Sequence, residues 1–494
     1  MRIFKSLWSG SKQNKKNQPD QPEPQVQGPL SLQTVLKEFH DCSDLSQRSF
    51  PHLELDLLYF EHLLDKNSFE RDISHPLETM TREELSNLLE QSKFREAADA
   101  KTALIGILNG AVGLFAPQGV FLVNVYGPEK RSVESSQTES VIIGPHDAFV
   151  ESLSTNLSLI RRKIKSNRLK VLNFEVGEVF KTHVAVLYIE EIANPQFVDV
   201  MTERIRAIEY SGIFDGSMLI QLIDDYPNSI FPIFQTSERP DLVISKLGEG
   251  KIIAIMDQSP TVIVGPTSFF EFFTSPDDYY SRWPVGTFLR LLRYLAFFIT
   301  VSLTSLYVSV TTYHYEMIPH NLLASLTESR SHVPFPPIFE ALLMEGTIEL
   351  LREAGARLPS KIGQTIGIVG GIVIGTAAVE AGFTSNILII SVAMSAIASF
   401  VIPSYIMSGS IRLIRFGLIL LSGMLGNFGF VAGIAFIIIH MSKLTSLGAP
   451  YTIPAAPIKP SDWKDMYIRG PFWMFRKRPS QSKTPNPTTN KMKK

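Results

Sequence analysis

Cysteine is almost missing from this chain: its 494 residues include one, Cys42. No intramolecular disulfide can form and no CxxC pair exists for zinc or redox chemistry. A lone thiol among scattered histidines (His52, His62, His75, His146, His183) reads as inert packing. HExxH and Gly-x-Ser-x-Gly are also missing, which removes two common hydrolase signatures. The acid pairs Asp224–Asp225 and Asp277–Asp278 read as solvated turn caps. No enzyme, no metal site and no cofactor are expected. Net charge is lacking too: 47 Lys+Arg against 48 Asp+Glu leave -1. There is no basic field for nucleic acid. The first 29 residues lack the apolar core of a signal peptide. They are basic, then Pro/Gln-rich, and read as a disordered cytoplasmic arm able to touch acidic lipid.

What is present is unevenly spread. A mean hydropathy of +0.10 with 19% charged residues hides two halves. Residues 30–285 look soluble and α+β, with a border placed near 155: subdomain 1 over 30–155, subdomain 2 over 156–285. "GVFLVNVYG", "ESVIIGPHDAF" and "HVAVLYIEEIANP" read as strands. "NPQFVDVMTERIRAIE" reads as a helix capped at Asn194 with Pro195 at its first position. "SERPDLVISKLGEGKIIAIMDQSPTVIVGP" reads as strands separated by turns.

Residues 286–445 are apolar. "TFLRLLRYLAFFITVSLTSLYVSVTTY", "GQTIGIVGGIVIGTAAV" and "SNILIISVAMSAIASFVIPS" are candidate membrane spans. "IRLIRFGLILLSGMLGNFGFVAGIAFIIIHM" is long for one span and short for two. The fold class expected is an integral membrane α-helical domain of about four spans, plus an amphipathic or re-entrant helix, after two soluble α+β subdomains. Both ends of the chain are basic, favouring the cytoplasmic side for both. The tail, 446–494, has no acid beyond Gly470 and reads as disordered from there. Arg290 and Arg293 either snorkel to headgroups or pair with acids of the soluble part.

Gly363, Gly367, Gly371 and Gly375 stand four apart, which suits close helix packing in an apolar span. The Lys-Ser/Thr of a phosphate-binding loop does not follow them. Nearly opposite lie Ile362, Ile366, Val369 and Val373, an apolar stripe that faces lipid, protein or a pore closed by dewetting. In the preceding helix Glu345, Glu349 and Glu353 are also four apart, with Glu340 nearer its start. They form either the wet face of a surface helix or an acidic vestibule to a cation path.

"VPFPPIFEALLMEGTIELLREAGARLPSKIGQTIGIVGGIVIGTAAVEAG" resembles the A subunit of GerA-type spore germinant receptors, the GerA/SpoVAF family. "SPDDYYSRW", "SERPD" and "GPHDAFVESLSTNLSLIRRKI" resemble further motifs of that family, and the likeness runs from about 100 to 450. It implies a multi-pass protein of the spore inner membrane, with its soluble region on the cytoplasmic or core side. It also implies three kinds of partner: a transporter-like, nutrient-binding B subunit, a lipoprotein C subunit, and further copies of the A subunit. The implied function is a nutrient-gated cation channel that starts germination. A non-conducting relay or scaffold, and a SpoVAF-like accessory channel, are the alternatives.

Overall fold

The computed structural model describes residues 29–127, 139, 141, 143–359, 370, 371 and 373–489. Two compact units emerge. One holds 29–40, Leu45–Gly127 and Lys165–Asn167; the other holds Asp41–Asp44 and nearly all the rest. The main break between the two units follows Gly127.

The first unit is built on a five-stranded antiparallel sheet. Its strands are β1 (Leu45–Phe50), β2 (Leu55–Phe60), β3 (Phe94–Glu96), β4 (Ala111–Ala116) and β5 (Gly119–Asn124), in the order β1-β2-β4-β5-β3. One face packs Leu57, Val112 and Leu114 against Leu85, Leu88 and Leu89. The other meets the helix Ala100–Leu108, where a Cβ on Gly113 would touch the Ile107 side chain at 3.0 Å.

The second unit repeats this topology. Its strands are β6 (Leu169–Val176), β7 (Thr182–Ile189), β8 (Gln235–Ser237), β9 (Ile252–Met256) and β10 (Val262–Gly265), in the order β6-β7-β9-β10-β8. In both sheets a hairpin comes first, then a three-residue edge strand, a nine-residue helix and a second hairpin. Each nine-residue helix is followed by a left-handed glycine, Gly110 (φ 86°) or Gly250 (φ 88°), the residue that stops a helix at least cost. Helices cover both faces of the second sheet, so β9 reads IIAIM with every residue buried. Ile253 and Ile255 pack with Leu157, Ile160 and Leu247. Ala254 and Met256 pack with Phe197, Met201 and Leu219.

Asn194 caps its helix with Pro195 at the first position, as the sequence suggests. Two local readings fail. "PDLVISKLG" is a helix, Pro240–Gly248, since Pro at its first position and Gly near its end outweigh its β-branched residues. The described residues of "ESVIIGPHDAF" form no strand.

The further helices of the second unit include α1 (Trp283–Tyr313), α2 (Pro337–Arg357), α3 (Asn386–Phe400) and α4 (Tyr405–Lys443), with a shorter helix, His320–Arg330, between α1 and α2. By length and composition, α1 and α4 are able to cross a membrane, and α3 is a shorter apolar helix. The long last block resolves into a hairpin. A straight 39-residue helix would run ~58 Å. Yet Ser410 Oγ donates to the Ile230 carbonyl (2.6 Å) and His440 Nε2 lies 3.0 Å from Ser229 Oγ, so both feet of α4 meet one loop. The chain reverses at Gly426 (φ 63°, ψ -144°), a conformation open mainly to glycine.

Contacts along the helices set their directions. Arg293, near the start of α1, pairs with Asp278, and Tyr313, at its end, donates to the Gly423 and Met424 carbonyls near the hairpin apex. Ile338, at the start of α2, packs on Gly423, and Arg352, near its end, donates to Ser399. α1 thus runs away from the second sheet and α2 returns. Residues 373–380, also helical, lead outward again to Ser385, whose N–H donates to Glu340 (3.2 Å). α3 returns, and the two arms of α4 go out and back. The returning arm of α4 brings the tail home beside the sheet.

That tail is ordered through 489, against the expectation from its composition. Proline and basic residues did not prevent docking, because Gln481 fills a buried polar site. Its Oε1 accepts from Lys251 Nζ (2.8 Å), which also donates to Glu271 Oε1 (2.8 Å) and the Pro266 carbonyl (2.5 Å). Lys246 reaches the other Glu271 oxygen at 2.9 Å. Burial alone pushes the Glu271 carboxyl up, but the Lys246 and Lys251 ammoniums and their hydrogen bonds hold it down at about 2. A carboxyl lowered by folding stabilises above its unfolded pKa, and that contribution is lost as pH falls from about 4.5 towards 2. Amide exchange over 478–489, corrected for intrinsic rate, is expected to show protection at pH 6 that falls below about pH 4.5 and is largely gone only at about pH 2. Equal protection at both ends of that range would detach the tail's docking from this carboxylate.

Candidate functional site

α2 begins "PPIFEALLMEGTIELLREAGAR", with Pro337 at its first position. Acids four apart share a helix face, and that face turns inward at the middle of α2. Glu345 is fully buried and contacts Arg415 Nη2 at 2.7 Å. Its Oε1 accepts from Thr304 Oγ1 of α1 at 2.8 Å. Arg415, equally buried in the outgoing arm of α4, also donates from Nη1 to Ser395 Oγ of α3 (2.9 Å) and from Nη2 to Glu349 Oε1 (3.2 Å). Ser395 in turn donates to the Thr300 carbonyl of α1. One guanidinium fork therefore ties all four helices together. A single desolvated charge in such a bundle is costly, and a hydrogen-bonded pair offsets most of that cost.

The four predicted acids do not share one setting. Glu340 is buried beside Arg330 (3.2 Å). Glu349 is partly buried among Arg352, Arg412 and Arg415. Glu353 is exposed and paired with Arg357 at 2.6 Å. An all-wet acidic face is thus excluded for Glu340 and Glu345. Every one of the four has a basic neighbour in its own chain.

Of the apolar stripe, Ile362, Ile366 and Val369 lie outside the described residues, and Val373 is 55% exposed. Gly363 and Gly367 also lie outside them. A Cβ on Gly371 or Gly375 would meet nothing within 4 Å. The close approach inside the chain is instead at Gly370, where a Cβ would stand 2.9 Å from Leu351 Cδ2. Among the described residues no group of three or more His, Cys, Asp or Glu is placed to hold a metal.

A second charged centre joins α1 to the sheet. Asp278, expected in water, is fully buried: Arg293 Nη1 donates to both its oxygens at 2.8 Å and Arg290 Nη2 lies 3.1 Å away. Arg290 also donates to the Asp465 carbonyl of the tail. Of the two roles expected for Arg290 and Arg293, pairing with a soluble-part acid is the one seen. Sequence reasoning missed Arg415, Thr304 and Ser395. An arginine inside "IRLIRFGLILL" was the available signal, since an apolar block keeps a charge only where a partner awaits it.

Comparison with known proteins agrees along almost the whole chain. The family model of the Bacillus/Clostridium GerA spore germination protein matches residues 33–481. Spore germination protein GerQA of Bacillus cereus is 42% identical over 472 residues, covering 94% of each chain. Spore germination protein A1 of Bacillus subtilis (strain 168) is 38% identical over 456 residues, 91% of this chain and 94% of that one. The solved N-terminal domain of the A subunit of the Bacillus megaterium germinant receptor GerK3 aligns with 49% of this chain and 98% of its own. That alignment is 24% identical with a TM-score of 0.38, too loose an overlap to carry an argument. With a family match of this extent and relatives of this identity, the chain belongs to the GerA family of spore germination proteins.

Proposed function

We propose that the chain is the A subunit of a nutrient-responsive germinant receptor in the spore inner membrane, and that several copies surround a cation path gated by nutrient. The soluble modules lie on the cytoplasmic side, and a transporter-like B subunit and a lipoprotein C subunit complete the receptor. Both arms of the α4 hairpin end at the loop 229–230, so the basic tail returns to the side of the sheet, which supports this placement.

One observation carries the oligomeric part of the reading. Nothing in their own chain lies within 4 Å of the Cβ positions of Gly371 and Gly375, and Val373, nearly opposite them on the helix, is 55% exposed. Glycines four apart in an apolar helix cost stability, about 1 kcal/mol each against alanine, unless another backbone comes close. A second copy supplies that backbone. The stripe of Ile362, Ile366, Val369 and Val373 then faces the central path, where apolar side chains close it by dewetting. The acids of α2 are held in ion pairs, so their part is to fix α2 in place beside the path.

The mechanism runs through two anchors. Asp278 holds the base of α1 and Gln481 holds the tail, so movement in the soluble modules pulls on both ends of the bundle. Potassium efflux from growing cells that express the chain with its B and C partners tests the channel. Val373→Ala is expected to leak several-fold without nutrient and to trigger germination; spores that stay dormant and respond normally would remove Val373 from the gate. Gly371→Leu is expected to abolish assembly, read by cross-linking. Normal oligomers and normal germination in that variant would remove the glycine face from the interface. Absent efflux from an assembled, nutrient-binding complex would favour a relay.

A further inference from the structure

The charge around Arg415 does not balance. Three guanidiniums, Arg352, Arg412 and Arg415, stand around two carboxylates, Glu345 and Glu349. The sequence from 358 to 369 adds no Asp or Glu. Arg415 is committed to Glu345, Glu349 and Ser395. The other two are underpaired. Arg412 comes no nearer than 3.7 Å to Glu349, beyond a hydrogen bond. Arg352 is 3.9 Å from the same carboxylate and spends Nη2 on Ser399, while its buried Nε has no hydrogen-bond partner. Their side chains are 14% and 15% exposed. Phe400 stacks on Arg352 at 4.2 Å and is itself 69% exposed.

The depth of this cluster is informative. Arg412 lies seven residues beyond the foot of α4 at Tyr405, ~10 Å along the axis. Arg352 meets Ser399, one residue before the end of α3. On the membrane reading above, both therefore lie near the headgroup layer of the leaflet facing the sheet, a layer ~6 Å thick on each side. Two guanidinium forks with free N–H groups at that depth match the oxygens of a phosphate.

We propose that Arg352 and Arg412 form a phosphate-anion site between α2, α3 and the outgoing arm of α4. An anionic phospholipid headgroup of the facing leaflet occupies it, and the bound anion neutralises the extra positive charge of the cluster. This rests on the membrane reading and goes beyond it: binding of acidic lipid steadies the joint that Arg415 makes.

The test uses the full-length chain in mild detergent, extracted from membranes containing phosphatidylglycerol and cardiolipin, with bound lipid counted by native mass spectrometry. Wild type is expected to keep anionic lipid through delipidation. The double variant Arg352→Gln/Arg412→Gln is expected to lose it several-fold, and Arg352→Lys/Arg412→Lys to fall between, since charge remains and the fork is lost. Inorganic phosphate added to lipid-stripped protein gives the second arm: stabilisation by phosphate in wild type alone, without lipid retention, assigns the site to the free anion. Equal lipid retention in wild type and the Gln variant, with no response to phosphate, overturns the site. So does weakened self-association of the Gln variant with lipid unchanged, because a carboxylate of a second copy would then be the partner. Extraction of the chain by detergent but not by alkaline carbonate is scored in the same preparations, so a failure of membrane insertion is seen separately.

Discussion

Arg415→Leu is expected to destabilise the helical bundle by about 3–5 kcal/mol, because it leaves Glu345 charged, buried and unpaired. Both side chains of the pair are fully buried, and the fork reaches α2 and α3 at once while Thr304 of α1 holds the other Glu345 oxygen. The ledger differs when both partners go. Glu345→Leu/Arg415→Leu replaces two desolvated charges by apolar bulk, and most of the lost stability should return. Arg415→Lys should fall nearer the single leucine variant, since an ammonium cannot make the two-sided contact of a planar fork. Resistance of the membrane-extracted protein to heat or protease reads all three. A double variant no better than the single one would show that the pair does not set the stability of the bundle.

Gly429→Val should prevent the α4 hairpin from closing. The reversal at Gly426 lays the returning arm against the outgoing one, and a Cβ on Gly429 would overlap the Leu421 carbonyl oxygen. A backbone atom cannot swing away as a side-chain tip can, so the cost exceeds the usual 1–3 kcal/mol of overpacking. Gly433 is similarly confined, its Cβ position 2.5 Å from Leu418 Cδ2. Gly417 supplies the contrast, since nothing lies within 4 Å of its Cβ position. Gly417→Ala should be tolerated or stabilise slightly, alanine being the better helix former. The variants are compared by protein level in the membrane and by protease protection of the tail, which depends on the second arm returning to the sheet. Full tail protection in Gly429→Val would refute the hairpin.

Much of this molecule was legible before any coordinates. The change of composition after "SPDDYYSRW" marks where the helices begin, because apolar runs of span length have few other uses. The long family motif from Val333 onward resembles GerA proteins closely enough to name the family, and the comparisons agree. The repeated sheet topology was legible in principle: "ILNGAVGLFAPQGVFLV" and "KLGEGKIIAIMDQSPTV" share a helix end, a glycine and two apolar runs. The repeat is faint there because two apolar runs separated by a turn look alike in many folds.

Other features depended on what lies far away in sequence. "GNFG" is as compatible with a bent span as with a reversal. The reversal is fixed by Ser410 and His440 reaching residues 229–230, more than 170 positions upstream. A Pro-rich tail reads as disordered because local composition offers it no core, yet Gln481 docks on Lys251, 230 positions earlier. Glu345, Glu349 and Glu353 stand four apart, but spacing gives a face and not its neighbour. Arg415 turned Glu345 inward, while Glu353, one helical stretch further on, stayed in water. The sequence alone thus determined the family and the helical periodicities, since these rest on long motifs and local steric preference. Tertiary structure alone decided which charges are paired and which way α4 runs, because desolvated charge is tolerated only where a distant partner meets it.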